Sequence, residues 1–212
     1  MSFLENKCSL FPLTSPEEIV DFTCGDPDLD EFFTRDCFAY SKELLGKTYC
    51  YKLDENTHKV VCAFTLANAG VRVSDMPNAR KKKVEDKIPH LKALKDYPAV
   101  LLARLGVSKD FQMLNIGSDV IEFVKLWFLD PYNKTGCRFL IVDAYNTEQT
   151  ISFYKKNDFK LVFSSEQQEK EYRHLSSSTV LSTRLMFYDL MRTAERYISD
   201  ASTILQKNSA PL

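Results

Sequence analysis

The junction that constrains this chain most is at residues 99–128, where an apolar run breaks directly into a helix-forming segment. AVLLARLGV (Ala99 to Val107) has the near-continuous apolar character of a buried strand. Val120, Ile121, Val124, Trp127 and Phe128 then recur at helical spacing and predict a helix from about Ser118 to Leu129. Between the two lies a short loop, and Gly117, one of only six glycines in 212 residues, stands where the helix opens. A helix N-terminus leaves about four main-chain N–H groups unpaired and carries partial positive charge, so a strand running straight into one makes an anion site. Two readings follow. Either the amides of Gln112, Met113, Leu114, Asn115, Ile116, Gly117 and Ser118 receive phosphates, with Gly117 allowing close approach, or Ser118 or Asn115 caps the helix and Gly117 merely relieves a turn.

The rest of the chain supplies a mixed sheet. Ser9 to Thr14 alternates like a short strand, and the segment from Gly25 to Lys47 reads as a helix capped by Asp28 and stopped at Gly46. Thr48 to Asp54 and Lys59 to Val73 form a hairpin around the turn ENTH. Residues 74–97 are polar, lysine-rich and broken by Pro77 and Pro89, an insertion with at most short helices. Cys137 to Tyr145 is strand, NTEQTISFYKKND helix, DFKLVFSS strand and Ser182 to Leu190 a last strand. Strands first pair as hairpins and then alternate with helices, which excludes a pure doubly wound sheet. One domain over residues 1–190, with the insertion at about 74–97 and a helical tail at 191–212, is the expected organisation.

Lys and Arg number 28 against 29 Asp and Glu, a net charge of −1, which excludes a whole-protein electrostatic grip on nucleic acid but not a local patch. The six cysteines are scattered without C-x-x-C or zinc-ligand spacing, so no metal is expected. The opening MSFLENK lacks the features of a signal peptide, and no apolar stretch approaches the roughly 20 residues that span a bilayer. The expectation is a cytoplasmic protein with reduced thiols, most of them small core residues.

Gln112-Met113-Leu114-Asn115-Ile116-Gly117 resembles the Gln/Arg-x-x-Gly-x-Gly/Ala signature of the GNAT superfamily of acyl-CoA-dependent N-acetyltransferases, with Asn115 in place of the first glycine. Asn tolerates the left-handed backbone better than most residues. Arg104 to Gln112 is similar to the family's strand end. Asn146 to Phe159 resembles its Asn-to-Phe-Tyr helix, with Ser152 and Asp158 replacing Ala and Gly. The resemblance spans roughly Ser9 to Leu190. It implies a mostly antiparallel mixed sheet, flanked by helices, whose fourth and fifth strands, ending at Val107 and Ala144, splay apart. Acetyl-CoA would thread the splay, with its pyrophosphate on the amides of Gln112 to Ser118. The pantetheine arm would run along Leu105, Gly106 and Val107, and Asn146 would hold the arm or a water, with Phe153 beside it.

Acetyl transfer to an amine needs a neutral amine, a stabilised oxyanion and a proton for the departing thiolate. A phenol stays protonated at neutral pH and can donate to a thiolate. Tyr154 lies two helical turns after Asn146, and the resemblance makes it the general acid; the other reading is a core tyrosine packed beside Phe153. Val107 would offer its amide to the oxyanion. No base is assigned: the apolar strand holds no carboxylate, and Asp143 and Glu122, which could serve in reserve, read as structural or solvated. Arg104, the one charge in that strand, reads as half of a structural ion pair or as a holder of acceptor or phosphate.

Phe22 to Phe33 (FTCGDPDLDEFF) looks like the corresponding segment of the GNAT-type toxins of bacterial toxin–antitoxin systems, and Ala63 to Val71 resembles their third strand. Those toxins acetylate the amino group of aminoacyl-tRNA and are silenced by an antitoxin protein. The implied partners are therefore tRNA and an antitoxin, with a homodimer consistent and no membrane. The dense basic run Arg80-Lys81-Lys82-Lys83 with Lys87 is either an RNA contact or a solvated face. The competing class is a non-catalytic acyl-CoA-binding module. A small-molecule or protein amine acetyltransferase without a toxin role is the other alternative.

Overall fold

The structure, a computed structural model, describes residues 2–89 and 94–198. Seven strands form one sheet in the order β1-β2-β3-β4-β5-β7-β6. They are β1 (Cys8–Pro12), β2 (Lys47–Leu53), β3 (Asn56–Arg72), β4 (Asp96–Val107), β5 (Phe139–Tyr145), β6 (Lys160–Leu161) and β7 (Thr183–Asp189). Every pairing is antiparallel except β4 with β5, which run parallel and pair only at Ala99–Phe139, Val100–Leu140 and Leu101–Ile141. Beyond those rungs both strands continue without each other, so the splay that the resemblance implies is present.

Seven helices flank the sheet: α1 (Phe3–Lys7), α2 (Pro27–Glu31), α3 (Cys37–Lys42), α4 (Asn78–Glu85), α5 (Ile116–Trp127), α6 (Glu148–Lys156) and α7 (Glu166–Tyr172). Residues 191–198 are also helical. The amphipathic pattern of α5 buries Ile116, Val120, Ile121 and Val124 against Val61, Phe64, Leu102 and Val142 of the sheet. On the opposite face Phe22, Phe32, Phe33 and Cys37 pack with Cys50, Val60 and Ala63. Burying one such large apolar side chain contributes about 1.5–3 kcal/mol, so the two faces hold the sheet between them.

Three expectations are corrected. Asp26, not Asp28, caps α2: its carboxylate accepts from the amides of Asp28 and Leu29. The helical segment after it contains a π turn at Phe32–Asp36, a distortion that consecutive large rings needing burial on one side can impose. The strand expected over DFKLVFSS is only Lys160–Leu161, because Val162 and Phe163 leave the ladder to fill the core and Ser165 starts α7. Among its described residues the insertion holds one short helix, α4, within the expectation of at most short helices, and it also contributes to the core. Val73, Met76 and Val84 pack with Tyr97, Phe163 and Phe187, and Lys83 donates to the Leu161 carbonyl at 2.8 Å. Residues 90–93 and 199–212, parts of the insertion and the tail, lie outside the described residues. The start of the tail does pack: Thr193 is buried and pairs with the Tyr188 hydroxyl at 2.8 Å.

All six cysteines are free, and Cys8, Cys37, Cys50 and Cys62 are buried. Among the described residues no helix is long and apolar enough to cross a membrane, and no group of three or more His, Cys, Asp or Glu is placed to hold a metal ion.

Candidate active site

The register of β4 decides which of its amides are free. Cys62, Ala63, Phe64 and Thr65 of β3 face Val107, Gly106, Leu105 and Arg104, and then Leu66 faces Leu102. Ala103 is the extra residue of a bulge, a device that re-aims side chains next to functional sites. The Ser108 N–H donates to the Val61 carbonyl at 2.9 Å, so Ser108 points toward β3. Peptide directions alternate along a strand. Val107 and Leu105 therefore turn their N–H and C=O groups the other way, into the splay, where β5 no longer pairs. Gly106 faces β3 and is corrected as a ligand-facing residue. A Cβ there would stand 3.0 Å from Phe33 and 3.3 Å from Phe22, so the glycine makes room for two aromatic rings.

At the turn into α5 no side chain caps the helix. Asn115 stands at the N-cap with φ 62° and ψ 12°, and its side chain caps no helix amide. Met113 is also left-handed, at φ 69°. Among the described residues the main-chain N–H groups of Met113, Leu114, Asn115, Ile116 and Gly117 donate to no protein acceptor. Ser118 is corrected in part: its N–H is spent on the Asn115 carbonyl at 3.0 Å. Gln112 acts through its side chain, whose Nε2 donates to the Cys24 carbonyl at 2.8 Å and the Val107 carbonyl at 3.2 Å. It ties the turn to the strand end and to the 22–33 segment. The result is a row of unpaired amides at a helix N-terminus, with the exposed side chains of Met113 and Leu114 beside it.

Gly117 has a different purpose from the expected one. A Cβ there would lie 3.0 Å from the Phe153 ring and 4.0 Å from Val107, so Phe153 of α6 already occupies the space beside it. Val107, Gly117 and Phe153 thus meet at one point. Tyr154 follows, its ring 5.1 Å from that of Phe153 and 5.4 Å from that of Phe159. Its hydroxyl has no protein partner among the described residues, and burial pushes its pKa up to about 12. A phenol in that state holds its proton across the whole physiological range.

Asn146 is corrected. Its Nδ2 donates to Glu166 Oε1 at 2.9 Å and to the Leu181 carbonyl at 3.0 Å, anchoring α7 and the approach to β7. The adjacent Thr147 caps α6. Neither reserve carboxylate is free. Asp143 pairs with Arg173, and Glu122 pairs with Lys125 and Arg196. Arg104 has no carboxylate partner among the described residues, so the structural ion pair is absent. Its guanidinium lies 5.1 Å over the Phe32 ring instead. Tyr145 was missed: its hydroxyl donates to Asp28 Oδ2 at 3.1 Å and joins the end of β5 to α2. The only signal in the sequence was a tyrosine as the last residue of a strand ending at the splay.

No family model matches the chain. Solved structures do. A crystal structure of a KacT mutant aligns with TM-score 0.67 at 18% identity, covering 90% of this chain and 99% of that one. AtaT complexed with acetyl-methionyl-tRNAfMet aligns at 0.66 and 18%, over 90% and 99%. AtaTR bound with AcCoA aligns at 0.67 and 17%, over 91% and 99%. A mutant AtaT toxin bound to the C-terminus of the antitoxin AtaR aligns at 0.61 and 16%, over 90% and 96%. Nearly the whole length of each of these proteins is matched, parallel β4–β5 pair included, and the chain has the GNAT fold in the form shared by KacT and AtaT.

Proposed function

We propose that the protein is an acyl-CoA-dependent N-acetyltransferase. The observation that carries this reading is the row of unpaired amides from Met113 to Gly117, set at the open end of two parallel strands with a protonated phenol one residue from the contact that closes the row. Those amides would hold the diphosphate of acetyl-CoA, and the outward peptides of Leu105 and Val107 would hold its pantetheine amides. Bound there, acetyl-CoA supplies an acyl thioester. The Val107 N–H then serves the oxyanion, a group that lowers such barriers by roughly 3–4 kcal/mol where measured. Tyr154 Oη holds the proton that the leaving thiolate needs. With no free carboxylate found in the site, the amine arrives neutral or gives its proton to water.

The acceptor we propose is the amino group of aminoacyl-tRNA, and the biological role that of a toxin held by an antitoxin. The toxin-like segment Phe22 to Phe33 supports this, as does similarity to AtaT, which has been captured with acetyl-methionyl-tRNAfMet. Labelled acetyl-CoA incubated with bulk aminoacyl-tRNA, free amino acids and protein tests it. Label in the RNA fraction that is lost with Tyr154→Phe is expected. Tight CoA binding without turnover on any acceptor would instead favour a binding module.

A further inference from the structure

Arg104 is the one charged side chain of β4 between Asp96 and Val107, and its surroundings leave it uncompensated. The bulge at Ala103 turns it, with Gly106, to the face covered by α2 and the π turn. There Phe32 lies under the guanidinium and Phe33 under Gly106. Its Nη1 donates to the carbonyl of its own neighbour Ala103 at 2.9 Å. Its Nε is fully shielded from solvent and has no hydrogen-bond partner. The three carboxylates of the neighbouring 26–30 segment are each engaged elsewhere. Asp26 caps α2, Asp28 accepts from Tyr145, and Asp30 accepts from Thr23 Oγ1 at 2.6 Å and the Cys24 amide at 2.7 Å. A shielded, unpaired donor on a permanent cation is costly, and such groups ordinarily have an anionic partner.

We infer that Arg104 is a specificity-determining residue that holds a phosphate of the acceptor, on the face of β4 opposite the acyl-CoA turn. This rests on the acetyltransferase reading above. Distance selects the kind of oxyanion. Arg104 is three residues from Val107, about 10 Å along a strand, and its guanidinium is folded back toward Ala103, away from the strand end. In a free amino acid the carboxylate carbon is about two bonds from the amine, too close to span that gap. A 3′-aminoacyl nucleotide carries its 5′-phosphate about eight bonds from the amine, a reach of roughly 10 Å. An arginine fork stacked on an aromatic ring is also the side chain suited to planar, bidentate phosphate recognition.

The test uses two minimal acceptors, a 3′-aminoacyl-adenosine with and without a 5′-phosphate, together with their hydrolysis-resistant 3′-amide analogues. The wild type should prefer the phosphorylated ester in kcat/KM by roughly 10- to 100-fold, and Arg104→Gln should bring that ratio close to 1, with Arg104→Lys in between. Calorimetric binding of the amide analogues should show the same change. A wild-type ratio near 1, or a ratio untouched by Arg104→Gln, overturns the inference, since a purely structural role would slow both acceptors alike. If the analogues show the phosphate preference but no acetyl is transferred, the acetyltransferase reading fails while the role of Arg104 stands.

Discussion

Asn115 allows the anion-binding reading of the turn to be tested apart from its backbone geometry. At φ 62° it occupies a region that costs a Cβ-bearing residue about 1–2 kcal/mol, a cost that Asn lowers and Gly does not have. Leaving that region would also break the bonds that its carbonyl accepts from Ser118 and Asp119, each contributing about 0.5–1.5 kcal/mol. The turn should therefore hold its shape in single variants. Its side-chain amide stands 3.5 Å from Asp119, too far to contribute much. Asn115→Gly should accordingly melt at or slightly above the wild type and bind CoA equally well. Asn115→Ala should lose about 1 kcal/mol, or roughly 2–4 °C for a chain of this size, and bind CoA only a few-fold more weakly.

Asn115→Asp separates the two readings. Attraction to the helix N-terminus, about 0.3–1 kcal/mol, offsets repulsion from Asp119, so it should melt near the wild type. It nevertheless places a carboxylate among the amides meant for a diphosphate. One unit charge about 5 Å away at an effective dielectric of about 20 opposes binding by roughly 3 kcal/mol, on the order of 100-fold. Calorimetric titration with CoA at two salt concentrations reads this directly, with the loss smaller at the higher one. If Asn115→Asp binds CoA within twofold of the wild type, the unpaired amides are not the diphosphate site.

Tyr154→Phe should lower kcat by about 10²–10⁴-fold while leaving CoA affinity within a few-fold. Because burial lifts the Tyr154 pKa, its proton-donating form is present below about pH 12 and lost only above it, so no alkaline fall in rate below pH 10 should trace to this residue; a limb near pH 9 that vanishes in Tyr154→Phe would contradict this. Glu169 is fully buried and accepts from Arg173, Arg184 and the Leu185 amide. Glu169→Ala should therefore cost about 3–5 kcal/mol in chemical denaturation, because it leaves the buried Arg184 without its carboxylate, while Arg173 keeps Asp143. Burial pushes the Glu18 carboxyl up, but bonds from Lys52 and Thr14 outweigh it and hold the pKa down to about 2. Its stabilisation is complete above the ordinary value of 4.5 and is lost as pH falls toward 2, so Glu18→Gln should flatten the acid limb of the stability profile between those values. In the basic run, Lys83→Glu should destabilise the fold through its lost bond to Leu161. Lys82→Glu should leave the melt unchanged and, if the run touches RNA, reduce the salt slope of tRNA binding by about 1.

Features written in local spacing were the legible ones. The strand over Ala99 to Val107, the buried face of α5 and the hairpin each follow from periodicity within one element. The hairpin, however, turns at Asp54 and Glu55 and not at ENTH, with Asn56 already paired in β3. Asn115 was readable as left-handed from its type at a glycine position of the resembled signature. Tertiary packing overrode the rest. DFKLVFSS has strand composition, yet Val162 and Phe163 satisfy a core from outside the ladder, a choice that depends on β7 and α4 far away in sequence. Gly117 and Gly106 are small because Phe153 and Phe33 arrive from other helical segments; Gly117 could be noticed in the sequence but its ring neighbour could not, and nothing there marked the size of Gly106. Asn146 was drawn into the site by its position in a motif, while its bonds go to Glu166 and Leu181, 20 and 35 residues away.

The same contrast explains how the two faces of β4 divide their work. One residue of bulge at Ala103 sets the outward peptides of Leu105 and Val107 toward the acyl donor and the side chain of Arg104 toward α2. Were Ala103 paired with Thr65 instead of bulged, everything after it would shift by one residue, exchanging the faces and sending the free amides into the β3 ladder. Deleting Ala103 removes only the unpaired residue and leaves Arg104 opposite Thr65 beside Leu102 opposite Leu66, so the deletion should keep CoA binding within a few-fold. By the same logic Ala103→Gly, which keeps the residue count, should retain CoA binding within a few-fold. If the deletion folds but no longer binds CoA, the register assigned to the strand end is wrong, and with it the assignment of Val107 to the oxyanion.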